Sequence, residues 1–513
     1  MKCKYRFFRS LFLLAFAVPV VIPAAGASAD GNRPLLMAHY MPWYQTPEIS
    51  GYWGWHWTMN HFNPDQIGAG GRREIASVHY PLTGPYDSSD EDILEYQALL
   101  FKVSGIDGVL VDWYGSADFW DYGTINNSTG ALFDMMERAG LSFAIVYEDQ
   151  TIKHRVNNGN LLEDQALAAG VSDLQYMADN WFGSDTYLKI GDRPVLLTFG
   201  PQYFYQSSEW ETLFSASEKR PLFFTLDNVL APAASGAYPW PPMWKAGTDG
   251  ILSEAELNEY LTGFYRKANG WDRVVAGAFP GFDDIYREAG VSDGYGYLDP
   301  RDGETFNSTL ERAVASGAEV IQLVTWNDYG EGTVIEPTVE FGYSYLTTVQ
   351  ACRAALDSSF RAGVDDLPLP LRLFRIRKEE PGDPETNRIL DQVFDLVITD
   401  RLPAAKTLLD SLEGFTRVQD QKEGGRGFAL FEPAYPNPFN AGTRLQYRLS
   451  APARVEISVY NARGREVDRL LDQFQAAGTH SLQWNGSGLS SGLYLFRFCA
   501  DSRITVRKCL KLD

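Results

Sequence analysis

Eight apolar, β-branched runs recur along the first two-thirds of the chain: Leu35–Tyr44, Ile106–Trp113, Leu141–Glu148, Pro194–Phe199, Leu222–Asp227, Gly250–Glu254, Val274–Phe279 and Glu319–Trp326. They are nearly continuous rather than alternating, the pattern of strands covered on both faces and hence of a parallel sheet. Helical stripes fall between many of them. Ile93, Gln97, Leu100 and Val103 follow a potential cap at Asp90 and precede Gly105. Leu132, Met135, Met136 and Ala139 precede Gly140, Tyr260, Phe264 and Ala268 precede Gly270, and Phe306, Leu310 and Val314 precede Gly317. A glycine just past an apolar stripe is the usual helix stop before a strand. Eight strands alternating with helices predict an α/β fold of the (β/α)8 TIM-barrel type over residues 30–345. A doubly wound open sheet is the alternative, but no Gly-rich phosphate loop follows the first strand.

The 513 residues exceed what one barrel needs. Residues 1–29 read as a signal peptide: Lys2, Lys4, Arg6 and Arg9 precede the apolar run 11–22, and Ala27-Ser28-Ala29 fits a cleavage site. Residues 346–415 read as a helical extension or spacer, with Leu408, Leu409 and Leu412 at helical spacing, and 416–430 as a linker rich in Gly and charge. Residues 431–513 alternate in short strands separated by turns, which predicts a small antiparallel, Ig-like β-sandwich. Cys352, Cys499 and Cys509 are too few for a disulfide framework. A short hairpin near Asp501 would not set Cys499 opposite Cys509.

In a barrel the strand C-termini build the site. Those ends carry His39, Tyr40, Trp43 and Tyr44, then Asp112 and Trp113, then Glu148 and Asp149, Asp227, Glu254, Asp283 and Asp284. The last end is the richest: Trp326, Asn327, Asp328, Tyr329, Gly330, Glu331 and Gly332 set two carboxylates three residues apart, flanked by rings and bendable glycines. Long segments after the first and fifth strands add Trp55, His56 and Trp57, and Tyr238, Trp240 and Trp244. Acids for proton transfer beside rings for stacking suit a sugar-cleaving site. A polar turn that caps the next helix would also explain Asp328 and Glu331, and Asp227 alone reads best as a turn or cap. The net charge of −21 argues against nucleic acid, which needs a basic surface. The six His are scattered without a zinc spacing, which argues against a catalytic zinc site; a calcium in an acidic loop is left open, and no metal or cofactor is assigned.

Several segments resemble a known family. They are His39-Tyr40-Met41-Pro42-Trp43-Tyr44, Trp55-His56-Trp57, Tyr80-Pro81, Gly84-Pro85-Tyr86-Asp87-Ser88-Ser89-Asp90, Gly105-Ile106-Asp107-Gly108 and Trp326-Asn327-Asp328-Tyr329-Gly330-Glu331-Gly332. Their order is similar to glycoside hydrolase family 99 and its family 71-like relatives. That resemblance implies a (β/α)8 barrel, a retaining endo-α-mannosidase or α-mannanase activity, and a polysaccharide or oligosaccharide substrate. It implies that Glu331 is the general acid and later the base toward water. Asp328 would stand where the family has a Glu that deprotonates the sugar's own 2-hydroxyl, which then attacks the anomeric carbon. It also implies substrate contacts from His39, Tyr40, Trp43, Tyr44, Trp55, His56, Trp57, Tyr86, Asp112, Trp113, Glu148, Trp326, Asn327 and Tyr329. The chain departs from the family's Asn-Glu-Trp-x-Glu-Gly motif at Asp328 and Tyr329. Aspartate draws its carboxylate back by roughly 1.5 Å, and a misplacement of about 1 Å can cost on the order of a hundredfold in rate. A glycan-binding barrel that does not cut is therefore the rival expectation.

The tail resembles the C-terminal sorting domain of the bacterial type IX secretion system, through Tyr435-Pro436-Asn437-Pro438-Phe439-Asn440, Val459-Tyr460-Asn461-Ala462-Arg463-Gly464, Trp484-Asn485-Gly486, Gly488-Leu489-Ser490-Ser491-Gly492-Leu493-Tyr494 and Lys508-Cys509-Leu510. This implies a diderm bacterium, outer-membrane secretion machinery as partner for residues 431–513, and a secreted or surface-attached product cleaved near Ala29. No transmembrane segment is expected in the mature chain.

Overall fold

The computed structural model describes residues 33–511 apart from 69, 380–381, 423–428, 432–433, 435, 437–438, 450–451, 462–464, 491 and 501–502. The expected signal peptide, the middle of the expected linker and parts of the tail motifs lie outside the described residues. Two compact units divide at Leu409 and Asp410.

The first unit is a closed parallel barrel of eight strands: β1 (Leu35–Tyr40), β2 (Gly108–Trp113), β3 (Ser142–Tyr147), β4 (Arg193–Thr198), β5 (Leu222–Leu226), β6 (Gly236–Tyr238), β7 (Arg273–Ala278) and β8 (Val320–Leu323). Closure is visible in the register: β1 pairs with both β2 (Met37 with Gly108) and β8 (Met37 with Gln322), and β3 pairs with β4 (Val146 with Leu197). All six residues of β2 are buried, as the continuous apolar run requires.

One expected strand is displaced. Gly250–Glu254 is not the sixth strand; β6 lies earlier, inside the segment read as a long aromatic loop. The reason is a capping box. The Ser253 hydroxyl accepts from the Glu256 N–H and the Glu256 carboxylate accepts from the Ser253 N–H, which starts the helix Glu254–Ala268. Ser-Glu-Ala-Glu is a helix start, and the apolar residues before it are too few to outweigh it.

Residues beyond the barrel strands form the helices Ser344–Leu356, Leu369–Glu379, Pro384–Ile398 and Leu402–Lys422. The last runs into the segment expected as linker. The first three of these helices pack on the barrel helix Glu91–Ser104. Arg377 donates to both oxygens of the buried Glu95, at 2.7 and 2.8 Å, and Lys378 pairs with Asp90 at 2.8 Å. A bidentate, desolvated guanidinium–carboxylate pair is the strong kind, and breaking one side leaves a buried charge.

The second unit contains two antiparallel sheets. One is formed by Ala429–Phe431, Gly442–Leu449 and Gly478–Asn485, the other by Glu466–Gln475, Ala453–Asn461, Gly492–Ala500 and Arg503–Lys511. Leu445, Tyr447, Val455, Ile457, Trp484, Phe496 and Phe498 fill the core between them. Cross-strand partners are Cys499 with Ile504 and Tyr494 with Cys509, so the two cysteines do not face one another across the hairpin.

Candidate active site

The segment after β8 makes a tight turn at the C-terminal end of the barrel. The Asp328 N–H donates to Thr325 Oγ1 at 2.8 Å, and Asp328 Oδ1 accepts the Glu331 N–H at 3.0 Å. The segment after β7 locks this turn from outside: the Asp283 and Ile285 N–H groups donate to the carbonyls of Glu331 and Gly330 at 2.9 and 3.0 Å. Gly332 has φ +66°, and a Cβ there would lie 2.5 Å from the Asp283 carbonyl oxygen. Only glycine permits that approach. The loop after β1 adds a roof, in which Met59 and Ala76 pack with Ile285 and Ala289.

Four carboxyls meet here. Asp328 is buried, and burial raises its pKa to about 7 against the help of its own turn's N–H groups. Glu331 is half-buried, and burial first, then the charges of Asp328, Asp284 and Asp112, hold its pKa well above the usual carboxylate range. Asp112 and Glu148, buried at the ends of β2 and β3, lie within hydrogen-bonding reach of each other. Both are raised by burial first. Asp328 then acts on Asp112, and Asp112 on Glu148. Asp112 Oδ1 has no hydrogen-bond partner, whereas Glu148 Oε2 accepts from Gln150 at 2.7 Å. Crowded, desolvated carboxyls cannot all ionise together, so such a cluster can hold a proton on one member while another is ionised, the arrangement that acid and base catalysis needs.

Aromatic residues from the β1 side line the approach. Trp43 and His56 stack at 4.1 Å with 5° between planes, His56 faces Asp121 at 3.5 Å, and Trp55 is exposed against the His56 edge. Burial lowers the His56 pKa against the pull of Asp121. His39 is fully buried edge-on to Trp240 at 4.8 Å, neither ring nitrogen has a partner, and burial lowers its pKa to about 3.

The other expected contact residues stand behind this surface. Glu336 accepts hydrogen bonds from Gln97 Nε2, Tyr86 Oη and Tyr329 Oη, each at 2.8 Å. Tyr40 donates to Gln97 at 2.6 Å, and Asn327 ties Met41 to Tyr86. Tyr44 donates to the Asn327 carbonyl and packs on Trp57, whose indole donates to the Tyr86 carbonyl. Trp113 packs on Tyr176 and Trp181, and Trp326 on Phe101. Tyr40, Tyr44, Trp57, Trp113, Trp326, Asn327 and Tyr329 are fully enclosed and Tyr86 nearly so, leaving no ring face or amide for a sugar. Around the strand-end loop these rings pack on one another and on the Glu336–Gln97 pair, while Trp113 packs toward Trp181.

Other acids are also engaged elsewhere. Asp149 accepts three N–H groups from Gln202, Tyr203 and Phe204. Asp227 accepts from Tyr260, Glu254 pairs with Arg301 at 2.7 Å, and Asp284 accepts from Tyr286 and Tyr295 N–H. Glu336 and Gln97, as partners, and Tyr286 carry no mark of a site in the local sequence pattern, beyond Gln97 being a polar residue on an otherwise apolar helical stripe. A depression of about 390 Å³ lined by Gly200–Gln202 and Leu226–Leu230 shares no residue with the carboxyl cluster. Among the described residues no group of three or more His, Cys, Asp or Glu is placed to hold a metal ion.

The class is thus a (β/α)8 barrel with a carboxyl cluster at its C-terminal face. Residues 433–511 match the family model described as a secretion system C-terminal sorting domain. The chain is similar to the glycoprotein endo-alpha-1,2-mannosidase-like protein of Danio rerio, at 22% identity over 351 residues, covering 58% of this chain and 70% of the relative. The Mus musculus protein of the same description is 23% identical over 335 residues, covering 59% and 69%. Among solved structures, the GH99 endo-alpha-mannosidase from Bacteroides thetaiotaomicron is similar at 20% identity and TM-score 0.47, covering 65% of this chain and 98% of that one. No helix among the described residues is long and apolar enough to cross a membrane.

Proposed function

We propose that this protein is an exported glycoside hydrolase that cleaves an α-linked glycan, α-mannan or a related polysaccharide, by a retaining carboxylate mechanism. The observation that carries the reading is the pairing of Glu331 and Asp328 in one locked turn, with both pKa values raised and only Glu331 half-open to solvent. A carboxyl held protonated near neutral pH suits the donor that the leaving oxygen needs. Glu331 gives that proton. Asp328 serves as the base toward the sugar's 2-hydroxyl, whose oxygen attacks the anomeric carbon as the glycosidic bond breaks. Glu331, now a carboxylate, then takes a proton from the water that opens the intermediate. Asp112 and Glu148 offer acceptors for sugar hydroxyls, and Trp55 and His56, the latter backed by Trp43, offer ring surface at the rim. The similarity to endo-alpha-1,2-mannosidase-like proteins favours mannose at the cleaved bond. Residues 431–513 direct the chain through an outer-membrane secretion machinery to the cell surface or medium.

One observation favours a second reading, a barrel that binds glycan without cutting it: the carboxylate of Asp328 is one methylene short, and its Oδ1 is already engaged by its own turn. Incubation of the mature protein with a panel of α-mannans and α-glucans separates the two. Hydrolysis predicts new reducing ends with retained anomeric configuration by NMR. Measurable binding with no reducing ends on any substrate would leave the second reading standing.

A further inference from the structure

The hydrolytic reading leaves one difficulty, the retracted carboxylate of Asp328, and the segment after β7 carries a group placed to meet it. Tyr286 follows directly on the residues that lock the Asp328–Glu331 turn, since Asp283 and Ile285 donate to the Glu331 and Gly330 carbonyls. Its own N–H is fixed by Asp284 Oδ1 at 3.1 Å, and its ring rests edge-on to Tyr295 at 5.7 Å and against the Met59–Ala76–Ile285–Ala289 cluster. The backbone of this residue is therefore tied to the turn it faces.

Gly330 reports where the phenol ends. A Cβ built there would lie 3.4 Å from Asp328 Oδ1 and 3.7 Å from the Tyr286 hydroxyl, with Met59 Cε on the third side at 3.0 Å. Asp328 Oδ1 and the Tyr286 hydroxyl therefore both border the space beside Gly330, together with Met59 Cε. Tyr286 is half-buried rather than enclosed, in contrast to Tyr329 in the motif itself, whose hydroxyl is bound to Glu336. Burial, then the charges of Glu331 and Asp328, hold the Tyr286 pKa well above 10, so the hydroxyl keeps its proton across the working pH range.

We propose that Tyr286 is a catalytic residue whose hydroxyl bridges the gap between Asp328 and the sugar. This rests on the hydrolytic reading above. In the first step the sugar's 2-hydroxyl gives its proton to the Tyr286 oxygen while the Tyr286 proton passes to the Asp328 carboxylate. The freed sugar oxygen bonds to the anomeric carbon, the glycosidic bond breaks, and the leaving oxygen takes the Glu331 proton. In the second step water gives a proton to Glu331 and its oxygen to the anomeric carbon. The bond to the sugar oxygen breaks, and that oxygen recovers its proton from Asp328 through Tyr286. Tyrosine ends neutral in both steps.

The test uses the full mature chain, α-mannan as substrate, and three variants. Tyr286→Phe removes the hydroxyl and keeps the ring packing. It is expected to lower kcat about a hundredfold, in the range of a lost proton-transfer group, with KM within about threefold and the thermal midpoint unchanged. Adding Asp328→Glu to Tyr286→Phe restores the missing reach and is expected to recover at least about tenfold of the lost rate. Asp328→Glu alone supplies the reference for that recovery. Wild-type kcat in Tyr286→Phe overturns the proposal while hydrolysis stands, and so does a loss that Asp328→Glu does not recover. Absence of hydrolysis by the wild-type protein on every glycan overturns the underlying reading, and the bridge with it.

Discussion

Two acids on opposite sides of one strand-end loop, Asp328 and Glu336, show what burial does and does not determine. Both are almost wholly enclosed, and burial raises both pKa values to about 7. Behind the loop, Glu336 is satisfied by an amide and two phenols on its two oxygens. In front, Asp328 has only its own turn's N–H groups, while Asp112 keeps an oxygen without a partner and Glu331 stays half-open. A buried carboxyl with partners on both oxygens is a strut, whereas one left short of partners waits for a ligand. The tyrosines repeat the contrast. Tyr329, beside the acids in sequence, faces the strut, and Tyr286, over forty residues earlier, faces the acids.

The contrast breaks first at Glu331. Glu331→Gln, which cannot give a proton, is expected to lower glycan hydrolysis by about a thousandfold or more without changing urea stability, measured as reducing-end release. Asp328→Asn follows, with a loss of roughly a hundredfold and an unchanged fold. On the other side, Glu336→Leu leaves Gln97, Tyr86 and Tyr329 donors buried and unpaired. It is expected to cost about 3 kcal/mol or more of unfolding free energy, read from urea denaturation.

Two smaller effects sharpen the same division. Glu336 holds a proton in the folded state that the unfolded chain loses above about pH 4.5. Stability should therefore be greatest below that pH and fall as pH rises to about 7, the folded value. Glu336→Gln should remove part of this slope, measured as the thermal midpoint across the window. Activity should respond oppositely over the same range, since the Asp328 base must be ionised, so kcat rises with pH toward about 7. Last, Arg377→Ala strands the buried Glu95 and is expected to cost roughly 3 kcal/mol. Its effect on kcat should be small, because Glu95 lies on the outer helix and not in the carboxyl cluster.

The barrel was legible because its strands are continuous apolar runs and its helices end at glycines. Only Gly250–Glu254 misled, where a Ser-x-x-Glu capping box outweighed a short apolar run and three residues of β6 made too faint a signal. Asp328, Glu331, Asp112 and Glu148 were legible as a group because strand ends converge in a barrel. The direction each ring takes was not. Spacing gives proximity along the chain, but whether Tyr329 or Trp57 faces sugar or core depends on partners such as Glu336 and Tyr86, fixed only by tertiary packing. Tyr286 was invisible for a related reason: its role comes from backbone pairing between two loops that no local pattern announces.

The most direct measurement compares kcat of Glu331→Gln with that of Glu336→Gln on α-mannan, at a temperature where both are folded. Both replace a glutamate of one loop by its isostere, one on the half-open face and one on the enclosed face. The account predicts activity near zero for Glu331→Gln and within about tenfold of wild type for Glu336→Gln. Comparable activity in the two, or the reverse order, would contradict it.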